Sequence, residues 1–141
     1  MLIMKIIVSA CLLGENCKYN GGNNENARVK AFLEGHEVFK VCPELAAGLG
    51  VPRTPIEIVS GVVTDKNGNC VDAQIRSAVE KCVHKAQQEG VELAILKSRS
   101  PTCGVKAVYD GTFSGKLIAG QGVLATALQQ VGIQVVDSED I

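Results

Sequence analysis

Three cysteines follow strand-like runs. Cys11 comes after Lys5-Ile6-Ile7-Val8-Ser9-Ala10, and Cys42 after Glu37-Val38-Phe39-Lys40-Val41. Cys103 belongs to the polar stretch Lys97-Ser98-Arg99-Ser100-Pro101-Thr102-Cys103-Gly104, behind an apolar run at 91–96. Open parallel sheets bind ligands at the carboxyl ends of their strands, so such a fold brings all three thiols to one edge. Three thiolates are one ligand short of a closed structural zinc site and leave a coordination position open. Soft sulfur donors suit Zn(II) or an iron–sulfur cluster, and the spacing alone leaves both readings standing.

The neighbours of these thiols extend the chemistry. Glu44, fixed behind Cys42-Pro43, is a candidate acid/base, and Ser100 is a candidate donor to a substrate oxygen or a cluster sulfur. Lys97, Arg99 and Arg53 can balance thiolate charge or hold an anionic group. Cys82 falls on an apolar helix face and Cys70 in a hairpin arm, which reads as burial for both. Cys17 shares a loop with Cys11 and is ambiguous. His36 follows a helix stop and His84 lies off the apolar helix face, so neither competes as a ligand. No Cys-x-x-Cys pair occurs, which argues against thiol–disulfide exchange.

The elements that must position these groups follow from periodicity. Strands are expected over residues 5–10, 37–41, 91–96 and 133–136, each short and rich in β-branched or apolar residues. Asn24 or Asn26 can cap a helix through Leu33, with Gly35 as its stop. Asp72 is expected to cap the clearest helix, which ends at Gly90 and turns Ile75, Ala78, Val79, Cys82, Val83 and Ala86 inward. A third helix over 122–131 places Val123, Leu124, Ala127, Leu128 and Val131 inward. The polar loop 15–24 reads as mobile or ligand-facing, and Val51-Pro52-Arg53-Thr54-Pro55 as a rigid extended connector. One hairpin is expected between 56–64 and 70–71 across Asn67-Gly68, and another between 107–109 and 116–118. This order predicts a single-domain α/β fold over 1–141. Its form is a three-layer sandwich with a mainly parallel four-stranded sheet, helices on both faces and two small β-hairpin insertions.

Composition narrows the function classes. Across 141 residues, 46% are hydrophobic and 21% charged, with a formal net charge of -1. That balance provides no basic footprint for nucleic acid or an anionic membrane surface. Three Phe, two Tyr and no Trp leave little for stacking bases. No stretch nears the roughly 20 apolar residues of a membrane-spanning helix. The apolar start at 1–8 lacks a leader's basic opening and reads as a strand. The expected compartment is the cytoplasm, where six cysteines point to metal binding, catalysis or burial before disulfides. Oligomeric state is not legible.

At these residues the chain resembles the bacterial thiouracil desulfurase family. The matching blocks are Ser9-Ala10-Cys11-Leu12-Leu13-Gly14, Tyr19-Asn20-Gly21-Gly22, Cys42-Pro43-Glu44, Pro52-Arg53 with Pro55 and Glu57-Ile58, residues 97–104 with their Ser-Pro-x-Cys-Gly core, and residues 110–115. They run in the family's order over nearly the whole chain. Thr102 stands where Ser is more frequent, and Asn20 where Asp is common. The resemblance implies a 4Fe–4S cluster held by Cys11, Cys42 and Cys103 with one iron open to the substrate's sulfur. Glu44 and Ser100 fall at the positions of the family's proposed catalytic residues. The implied reaction is a non-redox desulfuration of a thiolated base such as thiouracil, a small-molecule substrate, with sulfide released. Two rivals accompany this expectation: a three-Cys zinc hydrolase, and a cluster-bearing module that stores, delivers or senses sulfur or iron without turnover.

Overall fold

A computed structural model describes residues 2–141; Met1, the first residue of the apolar start, lies outside them. Four strands, β1 (Lys5–Ser9), β2 (Glu37–Val41), β5 (Leu93–Leu96) and β8 (Gln134–Asp137), form one sheet in the order β2-β1-β5-β8, with every pair parallel. The pleat explains how so short a sheet carries two cores. Ile6 and Val8 of β1, with Leu93 and Ile95 of β5, face helix α1 (Ala27–Leu33) through Val29 and Leu33. Ile7, Ala94 and Leu96 face the opposite side, where α3 (Asp72–Glu89) and α4 (Val123–Gln130) supply Ile75, Val79, Ala86, Leu124 and Leu128. Strands buried on both faces must be apolar at every position, as β5 is.

The expected three-layer α/β sandwich is thus present, with a wholly parallel central sheet. Connections from β1 run to β2 on one side, and the chain then returns across to β5 on the other. The strand order reverses between β1 and β5, which is where open α/β sheets bind ligands.

Asn26, rather than Asn24, caps α1, its side chain accepting from Arg28 N and Val29 N. Val71, not Asp72, is the cap residue of α3. The Asp72 carboxylate is spent on Val63 N at 2.9 Å and on Arg76 at 2.8 Å, which ties the helix start to the preceding hairpin. On α4 the buried positions are Leu124, Ala125 and Leu128, while Val131 is exposed past the helix end.

The first hairpin differs from expectation. Its strands are β3 (Ile56–Val59) and β4 (Val62–Asp65), joined at Ser60-Gly61. Both turn residues have positive φ, 50° and 80°, the backbone pair that matches the twist of a two-residue hairpin. Asn67-Gly68 makes a second turn, as expected: Gly68 N donates to Asp65 O at 3.0 Å and Asp65 N to Asn69 O at 2.8 Å. The Asp65 carboxylate accepts from Asn67 N and Asn69 N, and Thr64 pairs with Cys70 across the turn as a single antiparallel bridge. The second hairpin, β6 (Ala107–Tyr109) with β7 (Leu117–Ala119), forms as expected. A four-residue helix, α2 (Pro43–Ala46), follows β2 through Cys42, with Pro43 preset for a first helical position.

Candidate active site

The carboxyl ends of β1, β2 and β5 open onto a cavity of about 500 Å³. Its wall includes Cys11, Cys42 and Cys103, together with Glu44, Ser100, Lys97, Arg53 and Cys17. Cys11 lies in a 3-10 turn (Ala10–Leu13) that continues β1, and Cys42 is the residue between β2 and α2. Cys103 is delivered by the turn behind β5, whose Gly104 N–H closes onto Ser100 O at 2.8 Å. Among the described residues, no three His, Cys, Asp or Glu side chains stand close enough together to hold a single metal ion.

The turns that carry the thiols are held by groups from other elements. Ser9 ends β1, and its Oγ accepts from Lys97 N at 2.9 Å, so it pins the start of the 97–104 stretch. Asn24 N donates to Cys11 O at 3.0 Å. Loop 15–24 is therefore pinned and ligand-facing. Arg53 fixes its other end, Nη2 donating to Cys17 O at 2.8 Å and Nη1 to Gly50 O at 3.0 Å. The Cys42 sulfur lies 3.9 Å from the same Cys17 carbonyl.

Glu44 is 9% exposed. Its Oε2 lies 3.8 Å from the Cys42 sulfur, while Oε1 accepts from the Thr102 hydroxyl at 2.9 Å. Ser100 Oγ accepts from Thr102 N and Cys103 N at 3.2 and 3.1 Å and meets Thr102 Oγ1 at 3.0 Å. Glu57, buried in β3, accepts from Gly111 N and Phe113 N, so Tyr109 and Phe113 also line the cavity.

Burial dominates the electrostatics. It pushes the Cys103 thiol far up, the Glu44 carboxylate pushing the same way against hydrogen bonds from Ser9 and Thr102. Cys42 is raised by burial and by Glu44, and Cys11 by burial against Asn24 and Lys97. Cys17, 4% exposed, is raised to about 12 by burial and by Cys42 beside it. Burial lowers Lys97, whose ammonium donates to Ser98 O and Oγ at 3.0 Å.

The three strand-end cysteines, Glu44 and Ser100 are thus brought to one cavity, with Cys17 in its wall. Cys70 is exposed, contrary to the buried reading, because its hairpin arm reduces to a single bridge outside the sheet. Cys82 is half-buried on α3 and lines a second cavity of about 250 Å³ beside β2. Ser9, Asn24 and Thr102 carry no chemical signal by type. Their roles come from partners distant in sequence.

A family model described as 2-thiouracil desulfurase matches residues 6–140. The chain belongs to the 2-thiouracil desulfurase family. A curated relative from Bacillus subtilis (strain 168), an uncharacterized protein called YbbK, is 34% identical over 96% of this chain and 97% of its own length. A solved structure titled [4Fe-4S]-dependent thiouracil desulfidase TudS superimposes with a TM-score of 0.92 at 34% identity, covering 98% of this chain and 93% of that one. Within this desulfurase fold the four-stranded parallel sheet and its flanking helices are shared architecture. None of the helices among the described residues is long and apolar enough to cross a membrane.

Proposed function

We propose that this protein is an iron–sulfur-dependent desulfurase of thiolated pyrimidines, replacing a thiocarbonyl by a carbonyl and releasing sulfide, with residues 1–141 acting as one domain in the cytoplasm. The observation that carries this reading is the convergence of Cys11, Cys42 and Cys103 on one cavity that Glu44 and Ser100 also line. The dependence of TudS on a 4Fe–4S cluster supports the same cofactor here, held by these three thiols with one iron left open.

The donor set fits such a group. Soft thiol donors around one cavity suit an iron–sulfur cluster, and the cluster dependence of TudS is what favours it over the zinc alternative. Thiols raised by burial are poor free thiolates; Cys11, Cys42 and Cys103 would hold the group as thiolates, their protons lost when it binds. When bound, the cluster supplies a thiophilic Lewis acid that polarises C=S and accepts the departing sulfur.

The chain's own groups do the rest. Glu44 turns Oε2 toward Cys42 at the cavity and takes and returns the proton that accompanies exchange of sulfur for oxygen. Ser100 stands in the same wall and positions the ring or a developing oxyanion. Lys97 and Arg53 oppose the negative charge of the thiolates. Tyr109 and Phe113, with the loop that Glu57 ties down, wall the cavity with ring surface suited to a flat pyrimidine. Anaerobic loading with iron and sulfide, followed by incubation with thiopyrimidines, tests this reading through the sulfide released.

A further inference from the structure

Glu57 is 8% exposed, and its carboxylate is only half used. In β3, Ile56 and Ile58 pack against the core, so alternation turns Glu57 to the other face of the ribbon. There Oε1 accepts from Gly111 N at 2.9 Å and from Phe113 N at 3.2 Å. Among the described residues, Oε2 has no hydrogen-bond partner and Glu57 no ion pair. Among the same residues, no buried side-chain oxygen sealed from solvent lacks a partner, so Oε2 keeps an opening. The space that Glu57 lines is the strand-end cavity, whose wall it shares with Ser100, Tyr109 and Phe113.

The wall beside that oxygen is rigid. A Cβ on Gly111 would sit 2.6 Å from Ile58 O, so loop 110–115 rests directly on β3. Phe113 has φ 56°, a conformation that a bulky residue keeps only where its surroundings impose it, and Glu57 holds its N–H there. A carboxylate oxygen accepts hydrogen bonds and, when ionised, donates none. Leaving it unanswered when a ligand fills the cavity is costly, so the ligand that fits brings a donor. A uracil-type thiobase carries one, since its N3–H lies beside the sulfur-bearing carbon whether sulfur is at C2 or at C4. A cytosine-type base has a bare lone pair at N3. We propose that Glu57 Oε2 accepts the N3–H of the thiolated base and thereby selects uracil-type over cytosine-type substrates. This rests on the desulfuration reading above. Glu57 then has one task on each oxygen: Oε1 holds the aromatic wall, and Oε2 reads the edge of the ring laid against it.

Glu57→Gln separates the two tasks. The amides of Gly111 and Phe113 need an acceptor, so the glutamine oxygen takes the place of Oε1 and its NH2 falls where Oε2 stood. That group offers hydrogens to N3, which matches the cytosine edge and opposes the uracil edge. Anaerobically loaded wild type and Glu57→Gln are compared by kcat/KM for sulfide release from 2-thiouracil and 2-thiocytosine, and by equilibrium dialysis of both bases. Wild type should prefer 2-thiouracil by about 100-fold or more, the rejection expected when a buried acceptor meets a lone pair. Glu57→Gln should lose about 100-fold on 2-thiouracil and bind 2-thiocytosine the better of the two, with iron content unchanged. Should Glu57→Gln fail to take up iron, methylated bases on wild type decide. There 3-methyl-2-thiouracil should lose about 100-fold against 2-thiouracil, and 1-methyl-2-thiouracil only a few-fold.

Equal losses on both bases in Glu57→Gln would make Glu57 a loop anchor only and overturn the recognition role. Equal binding of the two bases by wild type, or equal tolerance of the 1-methyl and 3-methyl bases, would overturn it as well. A loaded wild type that shows the base preference in dialysis yet releases no sulfide would overturn the desulfuration reading and leave the recognition role standing. Binding of neither base would overturn both.

Discussion

The Cys42 sulfur and Glu44 Oε2 lie 3.8 Å apart, joined by one turn that Pro43 starts. The proposed cluster ligand and the proposed proton carrier are thereby set side by side by three consecutive residues. The two proposed roles are separable by mutation.

Glu44→Gln keeps the shape and removes the base. The variant should hold the same iron as wild type and lose about 100- to 1,000-fold in kcat, a span typical of removing a general acid/base. Iron analysis beside initial rates of sulfide release checks it. Full activity in Glu44→Gln would remove the carboxylate from the mechanism.

Replacing Cys11, Cys42 or Cys103 singly by Ser should abolish most iron binding after anaerobic loading. Replacing Cys17, Cys70 or Cys82 should not. Cys17 is the discriminating case, because it shares the cavity wall with the proposed ligands. Iron per chain and the broad visible absorbance of thiolate-bound iron separate the two groups.

Gly122 leads into α4 and packs on the turn that carries Cys103. A Cβ there would sit 2.5 Å from Thr102 O and 2.8 Å from Cys103 N, both backbone atoms that cannot step aside. Gly122→Ala should therefore displace the ligand turn, cutting iron content and activity by about 10-fold or more while far-ultraviolet circular dichroism stays near wild type. Gly104→Ala, whose Cβ would meet Ala107 O at 2.6 Å, should behave alike.

Cys82 offers a pH test away from the cavity. Burial raises its thiol from 9.0 to about 11, only partly opposed by Lys85. A group with a raised folded value contributes its stability in full below the unfolded value and loses it as pH climbs to the folded one. The full chain should lose up to about 2 kcal/mol between pH 9 and 11 from this thiol. Cys82→Ala should flatten that part of the profile in urea unfolding.

How much of this is legible in the sequence differs by level. The sheet is readable because β5 is apolar throughout and β1 is apolar at Ile6, Ile7 and Val8, the positions buried on its two faces. That places Cys11, Cys42 and Cys103 at one edge without any short motif. The first hairpin is read in part: Asn67-Gly68 turns the chain and Thr64 pairs with Cys70 across it, but the longer pairing is the one across Ser60-Gly61, inside the run read as a single arm. The Asp65 carboxylate, accepting from Asn67 N and Asn69 N, holds the expected turn. Asp72 likewise looks like a cap, but a tertiary partner, Val63 N, claims its oxygen. Thr102 is invisible as a site residue because its meaning lies in Glu44, in a different element of the chain.

The most direct measurement is sulfide released per chain when the anaerobically loaded protein meets 2-thiouracil or 4-thiouracil, with the ring product identified by mass. The account predicts many turnovers, one sulfide and one oxygen-substituted pyrimidine per thiopyrimidine consumed, and none from iron-free protein. A fully loaded protein that binds iron through Cys11, Cys42 and Cys103 yet releases no sulfide from either base would contradict it.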